Sequence, residues 1–284
     1  MEIINRRQRM ASLARKLRRE NKTIGFVPTM GALHEGHLAL VREARQMCDV
    51  VIVSIFVNPT QFNEKKDLEK YPRDLTADAA LLADYQVDYI FAPEEQEIYP
   101  EGFSTYVFVE NLTETLEGAS RPGHFRGVAT VVTILFNTIR PDFAFFGQKD
   151  AQQTAVIKRL AIDLGFDTEI VVVPVVREES GLAMSSRNAL LSDEARQKAS
   201  VLYHALRAAK LAARDGERNA ANLAELVRRT IEAEPLAQLD YVAVVDNETL
   251  EPVEKIGDDP VLVAVAARFE DVRLIDNTVL NRKQ

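Results

Sequence analysis

The sequence predicts an α/β protein: a doubly wound (Rossmann-like) parallel sheet with a smaller C-terminal α+β domain. Short apolar runs bounded by glycine or proline alternate with longer stretches of helical periodicity over residues 1–176. These runs are rich in β-branched and aromatic residues on both faces, which is typical of strands buried in a parallel sheet. After Arg187 the pattern changes, because an alanine-rich amphipathic stretch precedes two longer apolar runs.

In the N-terminal part this pattern predicts five strands and four helices. The strands are expected at residues 23–28, 50–57, 87–92, 142–146 and 169–176. The helices are expected at residues 37–48, 76–85, 127–139 and 150–164, where apolar residues recur every three or four positions. In the last of these helices, one apolar stripe is expected to face the sheet, formed by Val156, Ile157, Leu160, Ala161 and Leu164.

The C-terminal part predicts two helices followed by two strands. Ser192-Asp193-Glu194 is a typical helix start, and the helix is expected to run to about Arg214. A second helix is expected near residues 223–232, and strands at 239–245 and 261–268. We therefore expect one domain at residues 1–176 and a smaller α+β domain at residues 177–284.

Composition and charge exclude several classes of protein. With 46% hydrophobic and 27% charged residues among 284, the chain does not resemble collagen, coiled coils or disordered proteins. The net charge of −8 argues against a nucleic-acid partner, which requires a broad basic face. We expect no membrane span and no signal peptide, since no apolar stretch is long enough. The single Cys48 fits a reducing compartment, so a cytoplasmic location is expected.

The first chemical motif is Pro28-Thr-Met-Gly-Ala-Leu-His-Glu-Gly-His37, where the first predicted strand meets the first predicted helix. The start of a helix at the carboxyl end of a parallel strand presents backbone N–H groups and a positive dipole end, which favour phosphate. Two imidazoles three residues apart would add donors for the same oxygens. The alternative is that the glycines serve a tight turn and each histidine caps local backbone. Zinc is disfavoured, because HEGH lacks the HExxH spacing and a third ligand.

Two further motifs follow predicted strands. Gly147-Gln148-Lys149-Asp150 begins another strand-to-helix junction, and Gln153 lies one helical turn further on. Lys149 suits a phosphate and Asp150 suits ribose hydroxyls, although a helix cap and a surface charge are the alternatives. Met184-Ser-Ser-Arg-Asn188 combines hydroxyls with a guanidinium that can bind a polyphosphate. Alone, this second motif is a weak signal, and without the His-Gly motif a polar interdomain loop would be the better interpretation.

Uncharged and basic groups are expected beside these junctions. Asn58-Pro-Thr-Gln61-Phe supplies amides that can bind hydroxyls or a carboxylate without adding charge. Asp78 could hold Mg²⁺ through water or simply contribute helix polarity. The segment Arg121-Pro-Gly-His124-Phe-Arg-Gly is basic and glycine-containing, as expected of a pocket wall or lid.

Together these motifs resemble the pantoate–β-alanine ligase (pantothenate synthetase) family over most of the chain and in the same order. The matching blocks are PTMGALHEGH, FVNPTQF, RPGHFRGV, GQKDAQQ and MSSRN. HEGH and MSSRN also resemble the HIGH and KMSKS elements of class I aminoacyl-tRNA synthetases and related nucleotidyltransferases. That resemblance implies adenylation, in which pantoate attacks the α-phosphate of ATP and β-alanine then displaces AMP.

The resemblance also implies roles for individual residues. Residues 1–176 would bind nucleotide and pantoate, and residues 177–284 would form a lid. His37 would be the proton donor, and the imidazole pair and the Ser185–Arg187 loop would converge around one triphosphate. Asp78 would hold Mg²⁺, and the assembly would be a homodimer. The implied catalytic residues are His34, His37, Lys149, Ser185, Ser186 and Arg187. The implied ATP-binding residues are Met30, Gly31, Ala32, Leu33, His34, Glu35, Gly36, His37, Gly147, Gln148, Lys149, Asp150, Val176, Met184, Ser185, Ser186 and Arg187. The implied substrate-binding residues are Gln61, Gln153, Asn58, His124 and Arg121.

Three other functions share some of these features. A nucleotidyltransferase acting on another small substrate would keep HEGH and the sheet, but the amide-rich NPTQF segment and Gln153 suit a small hydroxy acid. A nucleotide-sensing module would need no pocket for a second substrate. An aminoacyl-tRNA synthetase is disfavoured by the acidic charge and by the absence of an anticodon-binding extension.

Overall fold

The computed structural model describes residues 1–63 and 65–281, so the predicted second domain ends in three residues, 282–284, outside the described ones. The chain forms two compact units. The first comprises Met1–Gly147 and Val156–Val173, and the second comprises Gln148–Ala155 and the chain from Pro174 onward. The domain division after Val176 stays a prediction.

The first unit contains a six-stranded sheet whose neighbouring strands are all parallel, as the sequence predicts. The strand order is β1-β4-β3-β2-β5-β6. The strands are Glu2–Ile4 (β1), Ile24–Thr29 (β2), Val50–Ile55 (β3), Tyr89–Phe91 (β4), Phe143–Gly147 (β5) and Glu169–Val173 (β6).

Helices connect these strands and continue into the C-terminal part of the chain. Helix α2 follows β2, and its apolar face (Leu38, Val41 and Ala44) is buried in a core shared with the sheet. The α-helices are Arg7–Arg19 (α1), Glu35–Met47 (α2), Lys65–Lys70 (α3), Leu75–Ala83 (α4), Glu95–Ile98 (α5), Glu117–Ser120 (α6), His124–Ile139 (α7), Ala151–Asp163 (α8), Asp193–Lys198 (α9), Val201–Arg214 (α10) and Ala220–Glu232 (α11).

The order of the strands places a topological switch point beside β2. From β2 the chain proceeds to β3 and β4 on one side and then returns to β5 on the other side of β2. In open α/β sheets, ligands bind in the crevice at the carboxyl ends of the two strands that flank such a point. Thr29 ends β2 and Gly147 ends β5, so the carboxyl ends of these two strands mark the edge of the sheet where a ligand is expected.

The second unit pairs helices with a three-stranded antiparallel sheet, β7 (Ala237–Asp246), β8 (Val261–Phe269) and β9 (Val272–Leu280). The sequence pattern predicts only two strands here, so β9 is an addition to the predicted fold. The helix predicted from Ser192 to Arg214 is two helices, since α9 ends at Lys198 and α10 begins at Val201. The helices and the sheet of this unit share one core. It contains Leu202, Leu206, Leu223, Val227 and Ile231 on the helices and Val263 and Val265 on β8.

The cysteine lies in the core of the first unit. Cys48 is buried, and a Cβ atom added to Gly25 would lie 2.7 Å from its Sγ. Burial raises the pKa of the Cys48 thiol to about 11. Because the thiolate is the reactive form, this cysteine is a packing residue at neutral pH.

Within residues 1–63 and 65–281, every helix is too short or too polar to traverse a lipid bilayer.

Candidate active site

A tight turn joins β2 to α2 at the switch point. Gly31 and Ala32 have φ angles of +82° and +51°, the left-handed region that glycine adopts most easily. The Gly31 N–H donates to Thr29 Oγ1 at 3.2 Å, and this hydroxyl donates to the Ser54 carbonyl at 2.7 Å. A Cβ atom at Gly31 would lie 2.8 Å from Asp78 Oδ2, so a side chain has no room there.

Asp78 fastens this turn to helix α4. Its Oδ2 accepts the Ala32 N–H at 3.1 Å and its Oδ1 accepts the Leu33 N–H at 2.8 Å. The Asp78 side chain is buried, with 4% exposed. Since backbone donors to a carboxylate are strong charge-assisted bonds, Asp78 fixes the path of the chain that leads to the imidazoles.

The two imidazoles of the HEGH motif cap helix α2. His34 is the N-cap residue, and its Nδ1 accepts the Gly36 N–H at 3.1 Å. His37 Nδ1 accepts the His34 N–H at 3.3 Å, and the two ring centroids are 4.1 Å apart. Both histidines therefore cap local backbone, as one part of that alternative predicts. Because both Nδ1 atoms act as acceptors, each neutral ring carries its proton on Nε2.

This arrangement suits an anion at the start of α2. The helix has 13 residues, and its N-terminus carries the positive end of the dipole. Two Nε2–H groups on adjacent rings supply further donors in the same segment. Capping and anion binding are compatible, because they use opposite nitrogens of each ring.

A second group of predicted residues surrounds Asn58, which is 1% exposed. Asn58 Nδ2 donates to Gln61 Oε1 at 2.9 Å and to the Gly127 carbonyl at 3.1 Å. Its Oδ1 accepts the Thr60 hydroxyl at 2.9 Å and the Tyr99 hydroxyl at 2.8 Å. Every polar side-chain atom of Asn58 is thus engaged. The bond from Asn58 fixes the orientation of the Gln61 amide through its Oε1, and the Gln61 Nε2 donor takes no part in this bond.

Arg121 and His124 hold the backbone of Gln61. The Gln61 carbonyl accepts Arg121 Nη2 at 3.2 Å and His124 Nδ1 at 2.9 Å. Arg121 Nη1 lies 3.2 Å from His124 Nε2, so the His124 proton belongs on Nδ1. A Cβ atom at Gly127 would lie 2.5 Å from the Thr60 carbonyl, which explains the glycine of this motif. The predicted substrate roles of Asn58, Arg121 and His124 stay predictions, and the geometry gives all three a positioning role.

Replacing Asn58 with aspartate should destabilise the protein. The new carboxylate oxygen would face two acceptors, Gln61 Oε1 and the Gly127 carbonyl, in place of the lost donor. We expect a loss of about 2 kcal/mol or more, because each unpaired buried polar group costs about 1–3 kcal/mol. Thermal unfolding followed by circular dichroism measures this as a midpoint lower by roughly 5 °C.

Asn63→Asp is the matched control for this substitution. Asn63 is exposed, and its amide donates to the Pro122 carbonyl at 3.0 Å. Equal shifts in the two variants would mean that the added charge, and not the Asn58 network, determines the result.

In the second unit, the predicted Met184–Arg187 loop follows a short hairpin. The Met184 N–H donates to the Val176 carbonyl at 2.9 Å, which brings these two predicted ATP-binding residues together. Ser185 is the N-cap of a short 3-10 helix, Ser186–Leu190, and its Oγ accepts the Arg187 N–H at 3.2 Å. The Arg187 side chain is exposed.

Asn188 anchors this loop and had no role in the sequence-based prediction. It is 3% exposed, and its Nδ2 donates to Glu178 Oε1 at 2.7 Å and to the Ala183 carbonyl at 3.1 Å. Glu178 in turn accepts two guanidinium bonds from Arg196, both at 3.0 Å. Both partners are near Asn188 in sequence but lack a recognisable motif, so only the structure identifies them.

The predicted Gln148–Asp150 segment is held by β9. Asn277 Nδ2 donates to the Gln148 and Lys149 carbonyls, both at 2.9 Å, and its Oδ1 accepts Gln148 Nε2 at 3.0 Å. Lys149 Nζ lies 3.6 Å from Asp150 Oδ1. Gln153 lies half-buried in the first turn of α8. Asn277 could not be identified from the sequence, because the pattern of residues does not predict the strand that carries it.

The described side chains do not form a magnesium site by themselves. Among the described residues, no three His, Cys, Asp or Glu side chains are grouped to hold a metal ion. Both Asp78 oxygens accept backbone N–H groups, so an Mg²⁺ ion would take most of its ligands from phosphate oxygens and water. The assignment of Mg²⁺ to Asp78 stays a prediction, as does the convergence of the imidazole pair with the Ser185–Arg187 loop.

Comparison with known proteins gives one consistent result. The model of the family described as pantoate-beta-alanine ligase matches residues 2–279. The pantothenate synthetase of Heliobacterium modesticaldum is 54% identical over 280 residues, which is 99% of each chain. The enzyme of that name from Thermotoga petrophila is also 54% identical over 280 residues, 99% of this chain and 100% of the other.

Solved structures agree with the sequence relatives. A crystal structure of pantothenate synthetase from Thermus thermophilus has a TM-score of 0.90 and 47% identity, over 98% of this chain and 99% of that one. A structure of pantoate-beta-alanine ligase from Francisella tularensis, complexed with beta-gamma ATP and beta-alanine, has a TM-score of 0.80 and 38% identity. It covers 98% of this chain and 97% of that one.

Proposed function

Because the chain belongs to the pantoate–β-alanine ligase family, we propose that it joins (R)-pantoate to β-alanine, using ATP and releasing AMP and pyrophosphate. The observation that carries this proposal is a family match over residues 2–279. The site geometry is consistent with it, since an imidazole pair caps the helix at the switch point of the sheet.

The first step of the proposed reaction forms an acyl adenylate. A carboxylate oxygen of pantoate attacks the α-phosphorus, the bond from this phosphorus to the β-phosphate oxygen breaks, and pyrophosphate leaves with the electron pair. Negative charge therefore grows on the phosphate oxygens, and fixed donors lower the energy of that transition state. In this proposal the Nε2–H groups of His34 and His37 donate to these oxygens, and His37 is the proton donor.

The second step needs positioning more than a reactive side chain. The β-alanine amine attacks the acyl carbon of the adenylate, loses a proton and displaces AMP to form the amide. No nucleophilic residue takes part, so the rate depends on holding the amine against the carbon and excluding water. In this proposal Gln61 Nε2 binds pantoate; its orientation by Asn58 supports that role.

The remaining site residues keep the roles that the family resemblance implies. Met30 to His37, Gly147 to Asp150, Val176 and Met184 to Arg187 would bind ATP, with Lys149, Ser185, Ser186 and Arg187 on its phosphates. Gln153 would also bind pantoate. Mg²⁺ would enter with ATP and neutralise phosphate charge.

Isotope exchange between labelled pyrophosphate and ATP tests the proposed reaction. The adenylate step is reversible and uses pantoate alone, so exchange should require pantoate and should proceed without β-alanine. Exchange without pantoate would contradict activation of this acid, and exchange only with all three substrates would indicate a concerted path. AMP and pantothenate should accumulate together in the complete reaction.

We also propose that the chain forms a homodimer, as the resemblance implies. Two large apolar side chains of the first unit support this, because Tyr106 is 43% exposed and Phe108 is 53% exposed. Light scattering should give twice the mass of one chain, and Phe108→Asp should shift the protein towards monomer. Ile162→Asp is the control, since Ile162 is 70% exposed elsewhere. A wild-type monomer at all concentrations would contradict the proposal.

A further inference from the structure

A cavity of about 520 Å³ opens on the second unit beside α10, the end of β9 and the segment around Ile256. Pockets that hold small molecules have volumes of roughly 300–1,000 Å³. None of the residues predicted above to bind ATP, pantoate or β-alanine lines it. The chemistry of its walls is therefore separate from that of the candidate active site.

The cavity is strongly cationic in a protein whose net charge is −8. Its lining includes five basic side chains and no carboxylate; the five are Arg177, Arg207, Lys210, Arg214 and Arg218. Arg207 and Lys210 have no ion pair or hydrogen bond with any described residue. Like charges on one wall repel each other, so an anion in the cavity would relieve an unfavourable interaction.

The other three cations are partly compensated. Arg177 donates to Asp276 at 2.6 and 3.1 Å, and Arg214 lies 3.8 Å from Asp215. Arg218 donates to the carbonyl groups of Ala213 and Glu217. The excess charge is thus concentrated on α10.

The three cations on α10 are exposed side chains that share one wall of the cavity. Arg207, Lys210 and Arg214 are spaced three and four residues apart, so they lie on one side of the helix. Such like-charged neighbours destabilise a helix by about 0.2–0.5 kcal/mol per pair. Although these side chains are exposed, the surface that they line is concave, so one anion can contact more than one of them.

The remaining lining indicates the kind of anion. Leu206, Ile256 and Leu280 supply apolar surface, which suits a ligand with an apolar portion. Asn281 also lies in the lining, and its Oδ1 is buried without a hydrogen-bond partner among the residues that the structure describes. The Arg177 guanidinium lies 4.6 Å from the Tyr203 ring centroid and is held by Asp276, which makes that wall rigid.

We propose that this cavity is a binding site for an organic phosphate ester, with the phosphate on Arg207 and Lys210 and the organic part against Leu206, Ile256 and Leu280. Two adjacent cations match a phosphate dianion better than a single carboxylate. The proposal does not depend on the ligase reaction, since it concerns a site lined by other residues.

Isothermal titration of the full-length protein with phenyl phosphate, at constant ionic strength and without ATP or pantoate, tests the proposal. We expect one site per chain with a Kd of about 1 mM or tighter. Phenol and inorganic phosphate should each bind more weakly, because each lacks one half of the recognised chemistry. Absence of saturable binding would overturn the proposal.

Variants locate the binding. Arg207→Ala/Lys210→Ala should weaken phenyl phosphate binding about tenfold or more, as loss of charge-assisted hydrogen bonds predicts. Arg228→Ala/Arg229→Ala removes the same charge from exposed positions on α11 and should leave the affinity unchanged. His37→Ala should also bind normally. Unchanged affinity in the first variant, equal loss in the second, or loss in His37→Ala would each overturn the assignment to this cavity.

Discussion

Replacing His37 with alanine lowers kcat by about 10²–10³-fold, which is the expected effect of removing one donor to a developing oxyanion. The ring lies 4.1 Å from that of His34 at the start of α2, so His34→Ala should have a similar effect. Since the donor acts mainly in the transition state, the KM values should change less than kcat. Initial rates of AMP formation at saturating substrates measure the loss.

The N-cap role of His34 can be separated from its proposed catalytic role by substitution. His34→Asn keeps a side-chain acceptor for the Gly36 N–H, because asparagine is a favoured N-cap residue, but it removes the ring. We expect a wild-type melting temperature with a greatly reduced rate. His204→Ala, at an exposed histidine of α10, should retain the full rate. Wild-type rates in both the His34 and the His37 variants would refute the role of the imidazoles.

Asp78→Asn should lower both stability and catalytic efficiency. The substitution replaces one carboxylate oxygen by an NH₂ group that faces a backbone donor, either Ala32 N–H or Leu33 N–H. We expect a loss of about 2–4 kcal/mol from a broken charge-assisted bond and an unpaired buried donor. The turn that leads to His34 would shift, so kcat/KM should fall by at least about tenfold.

Magnesium titration separates this positioning role from metal binding. If Asp78 acts through the turn, excess Mg²⁺ should not restore the activity of Asp78→Asn. A wild-type melting temperature with activity restored by Mg²⁺ would show that metal binding is its main role. Asp84→Asn, at the exposed C-cap of the same helix, should change neither stability nor rate.

The parallel sheet was predictable because its central strands are apolar on both faces. In β3, five of the six residues are buried, and the sequence Val-Val-Ile-Val-Ser-Ile indicates this directly. The edge strand β1 was missed, since it has three residues and buries only Ile4. Helix α1 was also missed, because its apolar stripe is short and lies among many charged residues. The buried residues of this helix are Met10, Ala14 and Leu17.

The third strand of the C-terminal sheet was missed for a different reason. β9 places Asp276 and Asn277 at consecutive positions, and both are buried. Burial raises the pKa of Asp276, and the guanidinium of Arg177 opposes this effect through two hydrogen bonds. A partner such as Arg177, far from Asp276 in sequence, allows a polar residue to lie in a buried strand. The sequence around such a residue then lacks the regular alternation of apolar and polar residues that predicts a strand.

The candidate site was also predictable only in part from the sequence. The identity of the motif residues was predictable, because glycines and histidines together at a strand-to-helix junction are typical of an anion-binding turn. Their mutual support was not predictable. Asp78 contacts a turn 45 and 46 residues earlier in the chain, and Asn58 contacts Gly127, 69 residues later.

The saturated hydrogen bonding of Asn58 has an evolutionary consequence. Its partners Thr60, Gln61, Tyr99 and Gly127 each occupy a separate donor or acceptor direction. Loss of the polar group at Thr60, Gln61 or Tyr99 leaves an atom of Asn58 unpaired. At Gly127 the partner is the backbone carbonyl, and a Cβ atom there would lie 2.5 Å from the Thr60 carbonyl. Compensating changes would therefore have to arise together. We therefore expect these five positions to be conserved together among relatives, whereas neighbouring positions that face solvent are substituted independently.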